Sequence, residues 1–132
     1  MHPTYKYSMY SFVKLNSNFH AVVIGRKVSA NGASAFRITE LFYDLVSTLE
    51  INAGLMEIIV QNGYEYIDFV EYGFDAQLLV SNGFIQCSDN LFLPHLFEPF
   101  VAERKEVKIA FKSKYSFSFT KLDSDRDRPN QG

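Results

Sequence analysis

Residues 35–63 read AFRITELFYDLVSTLEINAGLMEIIVQNG, and the fold class turns on a change of period inside them. Ala35 to Tyr43 reads as a strand, rich in side chains that fill a pleated, half-buried surface. Leu55, Met56, Ile59 and Val60 then recur at helical spacing. Ser47 and Glu50 have the spacing of a capping box for a helix from Thr48 to Asn62, with Asp44 as the competing cap. Gly63 ends that helix in the left-handed conformation. Gly54 lies within it at a cost of roughly 1 kcal/mol relative to Ala, so it marks either the helix start or a close contact.

Before this run, Tyr7 to Leu15 reads as a strand with Tyr7, Met9, Val13 and Leu15 on one face, and Asn16-Ser17-Asn18 turns the chain. Phe19 to Val28 is nearly continuously apolar, which predicts burial on both faces. Asn31-Gly32 makes the next turn, so the first three strands form an antiparallel meander. After the helix come a strand from Tyr64 to Val70, a turn at Glu71-Tyr72-Gly73, and a short helix from Ala76 to Asn82. Asp75 caps that helix, Gly83 terminates it, and a strand from Phe84 to Cys87 follows.

Val107 to Leu122 is strand-like, with Val107, Ile109, Phe111, Tyr115, Phe117 and Phe119 all at odd positions. An odd loop at Lys112-Ser113-Lys114 pairs Phe111 with Tyr115 and keeps apolar opposite apolar; one long strand is the alternative. The expectation is an α+β fold with a mixed β-sheet and flanking helices. Residues 1–122 form a single domain, and 123–132 form a charged carboxy-terminal tail.

Composition narrows the function classes. A formal net charge of -2 with scattered Lys and Arg gives no footprint for nucleic acid. No apolar run reaches about 18 residues, so no membrane span is expected. The polar opening Met1 to Lys6 does not read as a signal peptide, and the expected location is cytoplasmic. Cys87 is the single cysteine and reads as a small buried hydrophobe. His2, His20 and His95 have no neighbour at metal-ligand spacing, so no metal site is expected. His20 reads as a core histidine. Asp123-Ser124-Asp125-Arg126-Asp127 alternates carboxylates like a calcium loop but has Arg128 where such a loop needs Gly, and reads as a solvated tail.

The strand–helix–strand–helix–strand run from Ala35 to Cys87 resembles the second half of the N-acetyltransferase (GNAT) superfamily. The resemblance rests on the helix ending Asn62-Gly63, the strand Tyr66 to Val70, and Gly83-Phe84, which looks like the family's Gly-Phe signal. Phe36-Arg37-Ile38, Tyr66-Ile67-Asp68-Phe69, the Pro94 to Phe100 segment and the tail through Asn130 are similar to GNAT-like proteins of bacterial surface-polysaccharide gene clusters. The resemblance implies an acetyltransferase or a degenerate relative of one. The family's pyrophosphate loop, Gln/Arg-x-x-Gly-x-Gly/Ala, falls here on Thr48 to Gly54, with one glycine and with Glu50, which repels a diphosphate. Leu79 stands where a general-acid tyrosine is common. Coenzyme A, the cofactor the resemblance names, is therefore expected to bind weakly or not at all, and no other cofactor is expected.

Arg37 in mid-strand is costly to bury without a partner, and Asp68 on a neighbouring strand is the candidate. A ligand site would be lined by Arg37, Asp68, Glu71 and Tyr72 at strand ends, with His95 and Glu98 from the proline-bracketed Pro94 to Phe100 loop. Asp68 and Glu71 are paired carboxylates suited to acid–base work. Two functions follow as expectations: a reduced GNAT-like domain holding a small molecule, or a non-enzymatic interaction domain completed as a homodimer. In the second, Tyr115, Phe117 and Phe119 form the interface, unless they pack on the chain's own helix instead.

Overall fold

The computed structural model describes residues 5–44, 49–86, 114 and 119–120. Strands β1 (Ser8–Val13), β2 (His20–Ala30) and β3 (Ala33–Tyr43) form an antiparallel meander. Helix α1 (Asn52–Asn62) then carries the chain across to β4 (Ile67–Phe69), which lies parallel to β3. The result is a mixed four-stranded sheet in the order β1-β2-β3-β4. A second, two-stranded sheet pairs β5 (Glu71–Tyr72) with β6 (Phe119–Thr120), and helix α2 (Ala76–Ser81) follows β5 in the chain. The class is α+β, as the periods predict.

Local chemistry explains the connections. Asn31 and Gly32 both have positive φ (52° and 82°), the pattern of a two-residue hairpin turn, so β2 and β3 run further toward the turn than the composition suggested. Asn16 also takes a positive φ of 60° in the first turn, where the Ser17 backbone N–H donates to the Lys14 carbonyl. Gly63 closes α1 at φ 64°, and its N–H donates to the Ile59 carbonyl. Asp75 caps α2 by accepting from the Gln77 N–H at 2.9 Å.

The core lies between α1 and one face of the sheet. Val23, Phe36, Ile38 and Leu41 from the strands meet Leu49, Ile51, Leu55 and Ile58, with Tyr10, Phe12, Tyr64, Ile67 and Phe69 packed around them. The Phe36 ring is edge-on to Tyr10 at 5.5 Å and stacked on Tyr64 at 5.9 Å. Burial in this aromatic group, and then the neighbouring Tyr10 hydroxyl, pushes the Tyr64 pKa above its ordinary value. Register shifts between Ile24 and Gly25, where Ile24 faces Glu40 but Gly25 faces Ile38. Thr39 is the extra residue of this bulge, and its buried hydroxyl donates to the Ile24 carbonyl at 3.2 Å. Gly25 is required beside it, because a Cβ there would collide with the Arg37 carbonyl and the Phe36 ring.

Several expectations need correction. β1 turns Tyr10 and Phe12 toward the core, whereas Met9, Val13 and Leu15, the residues predicted to lead its apolar face, are exposed. The burial of β2 on both faces holds only in part: Ala21, Val23 and Gly25 are buried on one face and Arg26 and Val28 on the other, where Val22 and Ile24 are half-buried and His20 is exposed. α1 begins at Asn52 rather than Thr48, and Glu50 bonds Lys14 instead of completing a capping box. Met56 and Val60 are exposed; Leu55 and Ile58 are the buried pair. β4 is shorter than the predicted Tyr64–Val70 strand, Glu71-Tyr72 is a strand rather than a turn, and residues 84–86 are not a strand. Ser47, Cys87, the Pro94–Phe100 loop, the tail and most of the predicted Val107–Leu122 hairpin lie outside the described residues.

Candidate functional site

Arg37 and Asp68 are brought together by register. They are directly opposed in the parallel β3–β4 pair, on the face of the sheet opposite Phe36 and Ile38 and therefore opposite α1. The guanidinium grips the carboxylate through both oxygens. Arg37 Nε donates to Asp68 Oδ1 and Oδ2 at 3.0 Å, and Nη2 donates to Oδ2 at 2.6 Å. The Arg37 side chain is only 2% exposed and that of Asp68 14%. On its other side Arg37 faces Arg26 of β2, also buried. Two like charges directly opposed across a pair of strands are unfavourable. Asp68 answers the first, and the Tyr5 ring, 4.0 Å from the Arg26 guanidinium, covers the second.

The other candidates divide. Glu71 lies at the start of β5, where its carboxylate accepts the Phe74 backbone N–H at 3.0 Å and shapes the Gly73 turn. Tyr72 pairs with Phe119 between β5 and β6. His95 and Glu98 lie outside the described residues. The sheet therefore joins Arg37 to Asp68, and the chain places Glu71 and Tyr72 just beyond. After Ile38 and Phe69 the two parallel strands separate: β3 runs on to Tyr43, while the chain beyond β4 leaves for the second sheet.

The segment leading into α1 carries neither a free acid nor a bare glycine. Lys14 holds Glu50 at 2.7 Å, an exposed pair worth at most about 1 kcal/mol. Gly54 packs its backbone against the Phe12 ring, which a Cβ would overlap, so of the two readings for this glycine the close contact is observed.

Asn82, which sequence reasoning passed over, organises this corner. Its side chain is buried at the carboxyl end of α2, and it accepts from the Ile51 N–H at 2.7 Å. It also donates to the carbonyls of Leu49 and Leu78, both at 2.9 Å. α1 has no side-chain cap of its own, so Asn82 fixes the approach to its first turn from another helix. The one available signal was Asn82-Gly83 itself, which reads equally well as an ordinary helix end.

On the open face, Ser11 and His20 Nε2 are 2.7 Å apart, an exposed cross-strand contact rather than a core histidine. Among the described residues no group of three or more His, Cys, Asp or Glu is placed to hold a metal ion. No described helix is long and apolar enough to cross a membrane. No family model matches the chain, and neither a curated protein nor a solved structure matches it.

Proposed function

We propose that this chain is a GNAT-like α+β module that works by docking to a partner rather than by transferring an acetyl group. The GNAT-like part is supported by strand order: an antiparallel meander, a crossover helix, and a fourth strand parallel to the third. The observation that carries the docking part is that the residues suited to chemistry serve the fold. Arg37 and Asp68 satisfy each other, Glu71 holds a turn, Glu50 is held by Lys14, and Gly54 admits the Phe12 ring. Meanwhile Met9, Val13 and Phe42 lie exposed on one face of the sheet, beside half-buried Val22 and Ile24. Exposed apolar area gathered in one place marks interaction surfaces.

Thermal unfolding with acetyl-CoA tests this reading. A ligand at 100 times its Kd adds about 2.7 kcal/mol to the folded state, which is easily seen as a rise in Tm. No rise is expected at millimolar acetyl-CoA. A saturable rise with a micromolar midpoint would overturn the proposal.

One observation favours a second reading, a degenerate acetyltransferase that keeps a small-molecule site. β3 and β4 separate beyond Ile38 and Phe69, and open sheets bind ligands outside the carboxyl ends of parallel strands. Glu71 and Tyr72 stand at that separation.

A further inference from the structure

We propose that the partner is a second copy of this chain, joined edge to edge through β1 in antiparallel pairing about a two-fold axis at Ser11. This rests on the docking reading and supplies its occupant. β1 is an edge strand: among the described residues it pairs with β2 alone. Natural sheets protect such edges with charges, prolines or bulges. Ser8–Val13 reads SMYSFV, with no charge and no proline, and its β2 pairing runs without a break. Met9 is 71% exposed and Val13 69%.

The strand complements itself in one register. A two-fold axis normal to the sheet keeps each face on its own side, so every residue must oppose one on the same face. Centred on Ser11, Met9 opposes the partner's Val13 on the open face, and Tyr10 opposes the partner's Phe12 on the core face. Centred on Tyr10, Met9 would oppose a serine and Ser8 a phenylalanine. Charge separates the two registers further. Lys6 and Lys14 flank the strand. The Tyr10-centred register sets Lys6 against the partner's Lys14, whereas the Ser11-centred one sets Lys14 against Ser8 and Lys6 against Asn16. Directly opposed like charges destabilise a strand pair, though less where Lys14 is already held by Glu50, so the apolar matching selects the Ser11 register and charge only adds to it. The four-stranded sheet then continues into eight strands, and the strip of Met9, Val13, Val22, Ile24 and Phe42 joins its copy across the axis.

Sedimentation equilibrium of the full chain at micromolar concentration should give twice 15.2 kDa. Met9→Lys/Val13→Lys and Met9→Glu/Val13→Glu, both at exposed positions, should each give the single mass while keeping a cooperative melting transition whose Tm no longer depends on protein concentration. An equimolar mixture should restore the double mass, because position 9 of one copy then opposes the opposite charge at position 13 of the other. In a Cys87→Ser background, Ser11→Cys should cross-link to itself on mild oxidation, since opposed strand residues lie about 4.5–5.5 Å apart, within disulfide range. Met9→Cys should not cross-link. A wild-type single mass without concentration dependence overturns the proposal, as does a double mass indifferent to the paired substitutions or a mixture that stays single. A single mass with no acetyl-CoA shift removes only this partner; an acetyl-CoA shift removes the docking reading itself.

Discussion

Arg37 illustrates how far single residues can be read. A guanidinium in the middle of a strand demands a carboxylate, and the sequence holds Asp68 on a neighbouring strand; both halves of that argument hold. Burying two charges costs several kcal/mol, so removing one partner is worse than removing both. Asp68→Ala should lower unfolding free energy by about 3–5 kcal/mol in urea titrations, while Arg37→Met/Asp68→Leu should recover most of that loss. An Asp68→Ala variant as stable as wild type would show that the pair does not hold the sheet together. Asn82 was not legible in the same way. Bonds from its side chain reach Leu49, Ile51 and Leu78, and the two that bridge most sequence span 31 and 33 residues of chain. An uncharged amide before a glycine gives no hint of such reach. His20 was misread because an apolar neighbourhood in sequence says nothing about which face of a strand is covered.

At the scale of elements, turns and helix ends were the most legible features because they depend on local backbone preference. Asn31-Gly32, Gly63 and Asp75 all behave as their residue types dictate. Faces were less legible. β1 offers apolar side chains on both sides, and the choice between Met9/Val13 and Tyr10/Phe12 is made by α1, which packs over Phe12. The start of α1 was misjudged for a related reason: its first turn is fixed by Asn82 from a distant helix, not by a local box. The contact between Gly54 and Phe12 predicts a sign reversal. Gly54→Ala should destabilise by about 1–3 kcal/mol through overpacking, although Ala is the better helix former by about 1 kcal/mol. In a Phe12→Ala background, the same substitution should stabilise. Denaturant midpoints of the four proteins in this cycle decide it, and a destabilising Gly54→Ala in both backgrounds would contradict the packing role.

For the whole molecule, the class followed from the periods, since three strand-like segments before one helix leave an α+β arrangement with a meander as the economical solution. The Arg37–Asp68 argument put β3 and β4 side by side but not their direction: the parallel pairing comes from the structure, because Ile67–Phe69 is too short to declare it. The site expected around six residues reduces, in the described part, to a satisfied ion pair with Glu71 and Tyr72 beyond it. The feature that stands out instead is an exposed apolar strip of Met9, Val13 and Phe42 at the β1 end of the face opposite α1, whose other end, around Arg26, Val28 and Arg37, is buried.

The central claim is that this exposed strip and its β1 edge are the working surface. Amide hydrogen exchange across a range of protein concentrations tests it most directly, because pairing through an edge slows exchange of the backbone N–H groups that become bonded. Protection should rise with concentration in Ser8–Val13 and stay constant in α1 and β4. Concentration-independent exchange in β1, or new protection confined to α1 or β4, would contradict the account.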